Sequence, residues 1–488
     1  MGGRAGPDLP KQEARGMRVV MVSAEMHPYA VTGGLGSVVG SLSRALAGRG
    51  VETSVVMPMY EAGAAASQPG STLAGTLPAG GGESFDLHEA RDSDGPVRLL
   101  LVRCPARFAR DGLYGPTPGE AYEDNADRFA FLCRAAASLL SSPFCDGTDV
   151  VHCHDWHAAL VPAYLPGGPA TVLTIHNLAY QGNFPVEDYP VTGLPGSLLV
   201  PGVLEFWGGF SFMKAGIVLS NAVTTVSPTY AREILTAEQG MGLDGVLRSR
   251  STPPDGILNG IDYGEWDPAG DAEIASRFDA GRLSSRRLCV EDLREGLGLD
   301  PGSGSMLVGM VGRLTYQKGV DLLIDSLDRL AALPIQLAVL GSGESRLESA
   351  LLGASARYPG RMAVRTAFDV TLARKIYAGS DCFLMPSLFE PCGISQMIAM
   401  RYGSVPIVRR TGGLADTVLE AGPGSGNGFL FDRPEPDDLV GAVERAVSWF
   451  SNRHAWTWMV RRAMAADNSW DRRVEDYLGL YRRVVGGV

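Results

Sequence analysis

The sequence contains no apolar run close to the ~20 residues that a bilayer-spanning helix needs. Residues 1–16 (MGGRAGPDLPKQEARG) are polar and lack the apolar core of a signal peptide, so we expect a short disordered tail there. The seven cysteines include no CxxC pair, so a disulfide framework is not expected and each cysteine is predicted to be a small buried residue. These absences predict a soluble bacterial protein of the cytoplasm.

Lysine is scarce as well. Of the 43 basic residues only four are lysines (Lys11, Lys214, Lys318 and Lys375), so a lysine inside a motif is a candidate functional residue. The formal net charge is −11, and an acidic surface repels phosphate backbones, which argues against a general nucleic-acid-binding protein. Hydrophobic residues, in contrast, make up 45% of the 488 positions, which is enough for two large domains.

Short β-rich runs alternate with helical stretches along the chain. The first runs are 17–25 and 51–58, and a second set begins near residue 305. This alternation is typical of parallel sheets covered by helices, so we predict an α/β fold. The stretch 61–96 is rich in Gly, Ala, Ser and Pro and is interpreted as a loop.

One short motif recurs, with TGGLG at 32–36 and TGGLAD at 411–416. Two Rossmann-like domains facing each other across a cleft would produce such a pair, although Gly-Gly turns also recur by chance. We place the hinge between the two domains at about 255–262.

Two strand-to-helix junctions carry residues suited to anions. The glycines of TGGLG let backbone N–H groups approach an anion closely, and the same turn can also be purely structural. Arg313 and Lys318 lie in GRLTYQKG, and two cations at this spacing suit a diphosphate whose charge is neutralised as it leaves. A solvated basic pair is the alternative. The rarity of lysine favours the functional interpretation.

The segment HCHDWH (152–157) contains three of the seven histidines. His-x-His on a strand places both rings on one face, but zinc needs further ligands and a tryptophan lies within the cluster. We therefore favour a strand tip that directs Asp155 and a histidine into a sugar-sized pocket. His176 and Asn177 in TIHNLAYQG form a second polar strand tip, for which a loop histidine with satisfied hydrogen bonds is the alternative.

The segment SLFEPCGISQ (387–396) places Glu390 just before a predicted helix start. Backbone N–H groups at Cys392, Gly393 and Ile394 can hold a sugar hydroxyl or a phosphate, and the carboxylate of Glu390 can accept hydrogen bonds from sugar hydroxyls. A Cys–His nucleophile is not supported, because no base for Cys392 is identified. Glu390 is the favoured functional residue of this segment.

Taken together, these motifs resemble those of bacterial glycogen synthases and plant starch synthases, which are retaining glucosyltransferases with two Rossmann-like domains (the GT-B architecture). The matching segments run in order from about residue 17 to the C-terminus. They include SAEMHPYAVTGGLGSVVGSL, HCHDWHAALVPAYL, TIHNLAYQG, FSFMKAGI, VSPTYAREI, ILNGIDYGEWDP, VGRLTYQKGVDLL, PSLFEPCGISQMIAMRYGSVPIVRRTGGLADTV and NSWDRRVEDYLGLY.

The resemblance implies transfer of glucose from ADP-glucose, or from UDP-glucose in some members, to the non-reducing end of an α-1,4-glucan such as glycogen, with retention of configuration. It implies that Arg313 and Lys318 contact the donor diphosphate and stabilise the departing nucleotide. Glu390 would hold the donor glucose and support the developing oxocarbenium ion. No metal ion or other cofactor is required, because cationic side chains and helix ends neutralise the charge.

The same resemblance implies the remaining site residues and the roles of the domains. Asp155, His176 and Asn177 would line the glucose pocket. The residues expected to contact the donor are Val31, Gly33, Gly34, Asn177, Asn259, Cys392, Gly393, Ile394 and Ser395. Residues 17–257 would form the acceptor-side domain and 258–455 the nucleotide-sugar domain, and the helices of 456–488 would pack back on the first domain. No nucleic-acid or membrane partner is implied.

The sequence departs from the family pattern at three positions. The first loop usually reads K-T-G-G-L-[GA]-D-V, whereas Val31 and Ser37 replace the Lys and the Asp here, and Leu388 replaces a usual Arg. Two alternatives therefore remain open: a synthase-like transferase with another donor or acceptor, and a homologue that binds glucan without transferring sugar. A phosphorylase is disfavoured, because none of the four lysines lies in a pyridoxal-phosphate motif. Front-face attack is favoured over double displacement, because no carboxylate besides Glu390 is an obvious nucleophile.

Overall fold

The computed structural model describes residues 16–61, 70–116, 119–302 and 304–487. Residues 1–15 of the predicted tail and 62–69 of the predicted loop lie outside the described residues. The chain forms two compact units. Unit 1 contains the described residues of Met1–Thr225, Glu233–Ile257 and Trp470–Val488, and unit 2 contains those of Val226–Arg232 and Leu258–Ser469.

Unit 1 is built on a nine-stranded sheet and a small three-stranded sheet. Its strands are β1 (Arg18–Val22), β2 (Glu52–Pro58), β3 (Thr72–Gly80), β4 (Glu83–Arg91), β5 (Arg98–Arg103), β6 (Val150–His154), β7 (Ala170–Ile175), β8 (Asn183–Pro185), β9 (Glu205–Phe206), β10 (Gly209–Ser211), β11 (Ala222–Thr225) and β12 (Asp255–Gly256). The large sheet has the order β12-β11-β7-β6-β1-β2-β5-β4-β3, and the small sheet has the order β8-β10-β9. From β12 to β5 the neighbouring strands pair in parallel.

The predicted loop at 61–96 is wrong over most of its length, because β3 and β4 form an antiparallel hairpin at the edge of the large sheet. In β4 the side chains of Phe85 and Leu87 are buried between more exposed neighbours, which is the period of two that a half-buried strand shows. The Gly- and Ala-rich composition of β3 hid the hairpin, because that strand is largely exposed and has few β-branched residues.

Unit 2 contains a six-stranded sheet in which all strands are parallel. Its strands are β13 (Met306–Val311), β14 (Ile335–Leu340), β15 (Met362–Arg365), β16 (Cys382–Met385), β17 (Val405–Arg409) and β18 (Phe429–Phe431). The order is β15-β14-β13-β16-β17-β18. This is the doubly wound 3-2-1-4-5-6 order, and the parallel part of the unit 1 sheet follows the same rule with β1 as its first strand. The predicted α/β class with two Rossmann-like domains is therefore confirmed.

The helices follow the strands as βαβ units require. They are α1 (Gly34–Gly48), α2 (Pro105–Phe108), α3 (Asn125–Leu140), α4 (Phe212–Leu219), α5 (Pro228–Glu233), α6 (Asp244–Arg248), α7 (Arg286–Leu297), α8 (Val320–Leu330), α9 (Ser345–Arg357), α10 (Val370–Gly379), α11 (Ser395–Arg401), α12 (Gly412–Thr417), α13 (Pro436–Ser451), α14 (Arg453–Met464) and α15 (Trp470–Val485). No helix in the described part of the chain is both long and apolar enough to cross a membrane.

The last helix returns to unit 1. The apolar face of α15, which includes Val474 and Tyr477, is buried, and the helix packs against α1. Arg49, which follows α1, donates a hydrogen bond of 3.0 Å to the carbonyl of Asp471. The returning segment begins at Trp470 and not at the predicted residue 456, because α14 packs against α11 and α13 within unit 2.

A short segment from the middle of the chain also belongs to unit 2. The carboxylate of Asp416 accepts hydrogen bonds from the backbone N–H of Thr229 at 2.8 Å and from its hydroxyl at 2.7 Å. This contact holds 226–232 on unit 2, between two stretches that belong to unit 1 in sequence.

All seven cysteines lie in the described residues, and none of them is in a disulfide. Six are buried, as predicted, whereas Cys104 is half-buried.

Candidate active site

The strand order of unit 2 indicates at which edge of its sheet a ligand would bind. Ligands of doubly wound sheets bind at the carboxyl ends of the strands where the strand order reverses, which here is between β13 and β16. Arg313 follows β13, and Ser387 to Glu390 follow β16. Arg313 is exposed and, within the described residues, has no side-chain hydrogen bond and no ion pair. Such a cation can bind an anion without first losing a protein partner.

Lys318 and Glu390 are in direct contact at this edge. Lys318 ends the 3₁₀ turn Tyr316–Lys318, and its Nζ lies 2.6 Å from Glu390 Oε2. The same carboxylate oxygen accepts a hydrogen bond of 3.0 Å from the Ser387 hydroxyl. The side chain of Lys318 is 22% exposed and that of Glu390 is 7% exposed. The sequence predicts separate roles for these two residues, whereas in the structure they form an ion pair.

The loops that carry the pair are tied together by the backbone. Gly319 has φ +68°, and a Cβ at this position would overlap the carbonyl oxygen of Pro386. Only glycine allows this close approach. The N–H of Leu388 donates to the Gln317 carbonyl at 2.9 Å, and Arg409 donates to the carbonyls of Ser387 and Leu388. Two loops separated by about 70 residues are thereby held in one geometry.

The TGGLAD motif packs against the loop that follows Glu390. Cβ atoms on Gly412 and Gly413 would overlap the carbonyl oxygens of Glu390 and Cys392. The N–H of Gly413 donates to the Glu390 carbonyl at 3.2 Å. These glycines are required for close packing, which explains why the motif has two in a row.

Gln396 holds the turn of the predicted donor-contacting residues Cys392 to Ser395. Its buried amide donates to the carbonyls of Cys392 and Gly393 at 3.2 and 3.1 Å and approaches the Thr417 hydroxyl at 3.1 Å. Cys392 is buried, whereas Gly393, Ile394 and Ser395 are half-buried. The last three residues therefore remain accessible to a ligand.

Asn259, the last predicted contact in unit 2, is buried. Its Oδ1 has no hydrogen-bond partner among the described residues. A buried amide oxygen without a partner costs roughly 1–3 kcal/mol, so a ligand donor at this atom would be favourable.

In unit 1 the strand order reverses between β1 and β6, and a carboxylate follows each strand, Glu25 three residues after β1 and Asp155 directly after β6. Glu25 is buried. It accepts hydrogen bonds from the N–H and the hydroxyl of Thr32, both at 2.7 Å, and from the Tyr114 hydroxyl at 2.5 Å. Glu25 thereby fixes the first glycine loop.

The glycine loop itself is open. Val31 is 43% exposed, and Gly33 and Gly34 are exposed, with no other atoms within 4 Å of a Cβ built at Gly33. Helix α1 begins at Gly34 without an acidic residue in its first turn. The N–H groups of this turn are therefore available to an anion.

Asp155 has a positive φ of +57°, which is rare for a residue other than glycine. Its carboxylate accepts the N–H of His176 at 2.7 Å and also the N–H of Asn177. Burial raises the pKa of Asp155 to about 7. The Asn177 side chain accepts the N–H of Ala179 at 3.1 Å. The structure thus brings the three residues predicted for the glucose pocket together.

The histidines of HCHDWH form a buried network. His152 contacts the Tyr481 hydroxyl at 2.8 Å and the Thr174 hydroxyl at 2.6 Å, so both of its ring nitrogens are occupied. His154 Nδ1 lies 3.0 Å from His176 Nε2. Burial lowers the pKa of His152 and of His176 to about 3, so both rings are neutral at pH 7. In the part of the chain that the structure describes, no group of three or more His, Cys, Asp or Glu side chains is arranged to hold a metal ion.

Four supporting residues were missed by the sequence analysis: Glu25, Tyr114, His154 and Ser387. Glu25 had a usable signal, because it follows a buried strand just as Asp155 does. Tyr114 had none, because it lies in an irregular loop whose position depends on the fold.

Comparison with known proteins agrees with this geometry. Residues 18–249 match the family model of the starch synthase catalytic domain, and residues 299–457 match that of glycosyl transferases group 1. The chain is 44% identical over 487 residues to a glycogen synthase of Anaeromyxobacter dehalogenans, covering 96% of this chain and 100% of that one. It is 43% identical over 484 residues to glycogen synthase 1 of Methylococcus capsulatus, covering 97% of both.

The chain belongs to the glycogen synthase family. It is similar in structure to the catalytic domain of starch synthase IV from Arabidopsis thaliana, solved with ADP and acarbose, with a TM-score of 0.87, 34% identity, and coverage of 96% of this chain and 100% of that one. A sucrose-phosphate synthase from Thermosynechococcus elongatus, at 18% identity and a TM-score of 0.61, shares the fold alone. Membership in this family makes the protein a glycosyltransferase.

Proposed function

We propose that the protein transfers glucose from ADP-glucose to the non-reducing end of an α-1,4-glucan, with retention of configuration. The observation that carries the proposal is the arrangement of Arg313, Lys318 and Glu390 at the point of unit 2 where the strand order reverses. An exposed cation, a second cation and a carboxylate there match what a nucleotide-sugar donor requires. The ADP in the related starch synthase structure supports an adenine nucleotide.

In this proposal Arg313 and Lys318 bind the donor diphosphate. The bond between the glucose C1 and the diphosphate oxygen breaks, and the two cations stabilise the negative charge that develops on the leaving ADP. Glu390 positions the donor glucose and stabilises the oxocarbenium character at C1. Because the Lys318 ammonium already contacts Glu390, it can bridge the carboxylate and the diphosphate without a large movement.

The acceptor hydroxyl attacks C1 from the face that the diphosphate leaves. Its proton passes to the departing diphosphate oxygen, and the new glycosidic bond keeps the α configuration. This front-face route needs no protein nucleophile, and it agrees with the pairing of Glu390 to Lys318, which lowers the nucleophilicity of that carboxylate.

In unit 1 we assign Asp155, His176 and Asn177 to the glucose pocket and the loop from Val31 to Gly34 to the donor. The neutral ring of His176 can exchange hydrogen bonds with sugar hydroxyls at any pH near 7. We also propose that the reaction takes place in the cytoplasm, where the seven cysteines would remain reduced.

The test is transfer of radiolabelled glucose to glycogen, with ADP-glucose and UDP-glucose assayed in parallel. Label incorporated from ADP-glucose, and released by an enzyme that cleaves only α-1,4 bonds, is the expected result. The Glu390→Gln variant, which keeps the shape of the side chain, is the matched control and should lose at least about 100-fold in kcat.

A second candidate is a synthase with another donor, which the uncharged side chain of Val31 favours. Turnover of a different nucleotide sugar, with none of ADP-glucose, would establish this candidate and overturn the first. Glycogen binding without turnover of any nucleotide sugar would leave only a glucan-binding homologue.

A further inference from the structure

Three of the large apolar side chains that unit 1 exposes lie in the region of the proposed glucose pocket, and the proposed chemistry does not use them. Trp207 is 84% exposed, Tyr180 is 51% exposed and Met241 is 39% exposed. Burying a side chain of this size is worth about 1.5–3 kcal/mol, so each one exposed forgoes stability. We call these three residues the apolar platform.

The three residues lie on one connected surface. Tyr180 precedes Gln181, whose side-chain amide donates to the Met241 carbonyl at 3.0 Å. Gly242 follows Met241 and lies against the indole, since a Cβ built on it would be 3.5 Å from Trp207 Nε1. Trp207 is in the hairpin turn between β9 and β10, and Phe206 packs edge-on against it at 6.1 Å.

The backbone under the platform is held in an unusual conformation. Trp207 has φ +52° and Met241 has φ +50°. Among the described residues, Asp155 is the one other non-glycine residue with a positive φ. Such conformations cost about 1–3 kcal/mol each and recur at ligand-binding positions. At Trp207 and Met241 the side chains are exposed, so burial of apolar surface does not offset this conformational cost.

The platform continues directly from the proposed glucose pocket. The N–H of Tyr180 donates to the Asn177 carbonyl at 3.1 Å, in the same loop that carries His176. Polar groups border the platform: Asn183 donates to the side-chain oxygen of Gln181 at 3.0 Å. A chain of sugars leaving the pocket along this loop would meet Tyr180 first.

This combination fits a glucan and not a protein helix. The faces of a glucose ring carry C–H groups, which pack on the electron-rich faces of aromatic rings, while the hydroxyl groups at the ring edge need polar partners. Exposed aromatic rings bordered by polar side chains satisfy both needs, whereas a protein partner favours a larger, wholly apolar patch.

We propose that Tyr180, Trp207 and Met241 form a subsite that binds the growing α-1,4-glucan chain, with the two aromatic rings stacking against its glucose units and Met241 adding apolar contact. This inference rests on the proposed function, because it names where the acceptor of that reaction is held. The subsite acts on affinity for the acceptor. It has no part in breaking the donor bond.

The test measures the affinity for maltoheptaose and for glycogen in the absence of donor, and separately the KM of each substrate. The Trp207→Ala and Tyr180→Ala variants and their double variant are compared with Leu73→Ala, which removes an exposed apolar side chain from strand β3 of the same unit. We expect the Trp207→Ala variant to bind maltoheptaose about 10-fold more weakly and the double variant more weakly still. The KM for glycogen should rise in parallel, with the KM for ADP-glucose and the Tm unchanged.

The Trp207→Tyr variant, which keeps an aromatic face, should recover most of the affinity. Glucan affinity within twofold of the wild type in the double variant would overturn the proposal. A change in the sedimentation of the protein, in place of a change in glucan affinity, would also overturn it and show that the platform joins two copies of the chain.

The binding measurement also separates this proposal from the proposed function. If the wild type transfers no sugar but the variants still lose glucan affinity, the subsite stands and the proposed function fails. If transfer is normal and the KM for glycogen does not change in the variants, the subsite fails and the proposed function stands.

Discussion

Lys318 and Glu390 form an ion pair of 2.6 Å although 72 positions separate them in the chain. The carboxylate is nearly buried and its other protein contact is the Ser387 hydroxyl. An ion pair of this kind is costly to break from one side, because the remaining charge stays buried without a partner. We therefore expect Lys318 to contribute to stability in addition to its proposed role in donor binding.

The Lys318→Met variant should show both effects. We expect kcat/KM for ADP-glucose to fall by roughly 10- to 100-fold, and the free energy of unfolding to fall by about 1–3 kcal/mol, less than for a fully buried pair because the lysine is partly exposed. Steady-state kinetics and urea denaturation measure the two quantities.

Arg313→Leu is the matched control, because Arg313 is exposed and has no partner within the described residues. It should lose kcat/KM to a similar extent at an unchanged Tm. Normal kinetics in the Arg313→Leu variant would show that Arg313 does not contact the donor. Equal losses of Tm in the Lys318→Met and Arg313→Leu variants would contradict the expectation that only Lys318 contributes to stability.

Val31→Lys should improve the enzyme if the donor is ADP-glucose. Position 31 is exposed, so a lysine can be accommodated there without burial. A charge-assisted contact with the donor is worth about 1.5–3 kcal/mol, which corresponds to a rise in kcat/KM of roughly 10-fold or more. Val485→Lys makes the same substitution at an exposed valine near the end of α15 and should have no effect. Unchanged or lower turnover of ADP-glucose in Val31→Lys would favour the candidate with another donor.

Asp155 should make stability depend on pH. Its pKa is raised from 3.8 to about 7 by burial, so the folded state binds this proton more tightly than the unfolded chain does. The resulting stabilisation is fully present below pH 4 and is lost as the pH rises to 7. At ~1.4 kcal/mol per pH unit, the loss amounts to at most about 4 kcal/mol.

The Asp155→Asn variant, which is neutral at every pH, should not show this loss. The difference in unfolding free energy between the variant and the wild type should therefore grow in favour of the variant from pH 4 to 7 and stay constant above it. Denaturation curves at several pH values measure this difference. Parallel pH profiles for the two proteins would show that Asp155 is ionised in the folded state throughout.

His154 should determine which nitrogen of His176 carries the proton. His154 Nε2 is buried and has no hydrogen-bond partner in the described parts of the chain, and a buried N–H without an acceptor is rarer than a buried acceptor without a donor. We therefore expect His154 to donate from Nδ1 to His176 Nε2, which leaves the His176 proton on Nδ1. Nitrogen NMR of the imidazole rings should detect Nδ1–H at His176 in the wild type.

In the His154→Ala variant the His176 proton should redistribute between the two nitrogens, and kcat should fall by about 10-fold with glycogen affinity unchanged. His154→Gln can still donate to His176 and should recover part of the activity. An unaltered His176 spectrum in His154→Ala would show that another group controls the tautomer.

The α/β class, the strand tips and most of the candidate residues could be read from the sequence. Central strands such as β13, and β1 after its first residue, are continuous apolar runs because they are buried on both faces, and helices such as α1 repeat their buried residues every three to four positions. Asp155 and His176 were found because they directly follow such runs. The hairpin of β3 and β4 was missed because an exposed edge strand need not be apolar.

The sequence by itself thus determined the features that depend on local pattern. These are the positions of the strands, the residues that follow them, and the presence of the cations and the carboxylate suited to a nucleotide sugar. Only the tertiary structure decided which of these residues meet. The contact of Lys318 with Glu390, the anchoring of Thr32 by Glu25 and the meeting of Tyr180, Trp207 and Met241 depend on strand order and on the path of the chain between strands. Periodicity records whether a residue is buried, but it carries no information about which distant residue lies beside it.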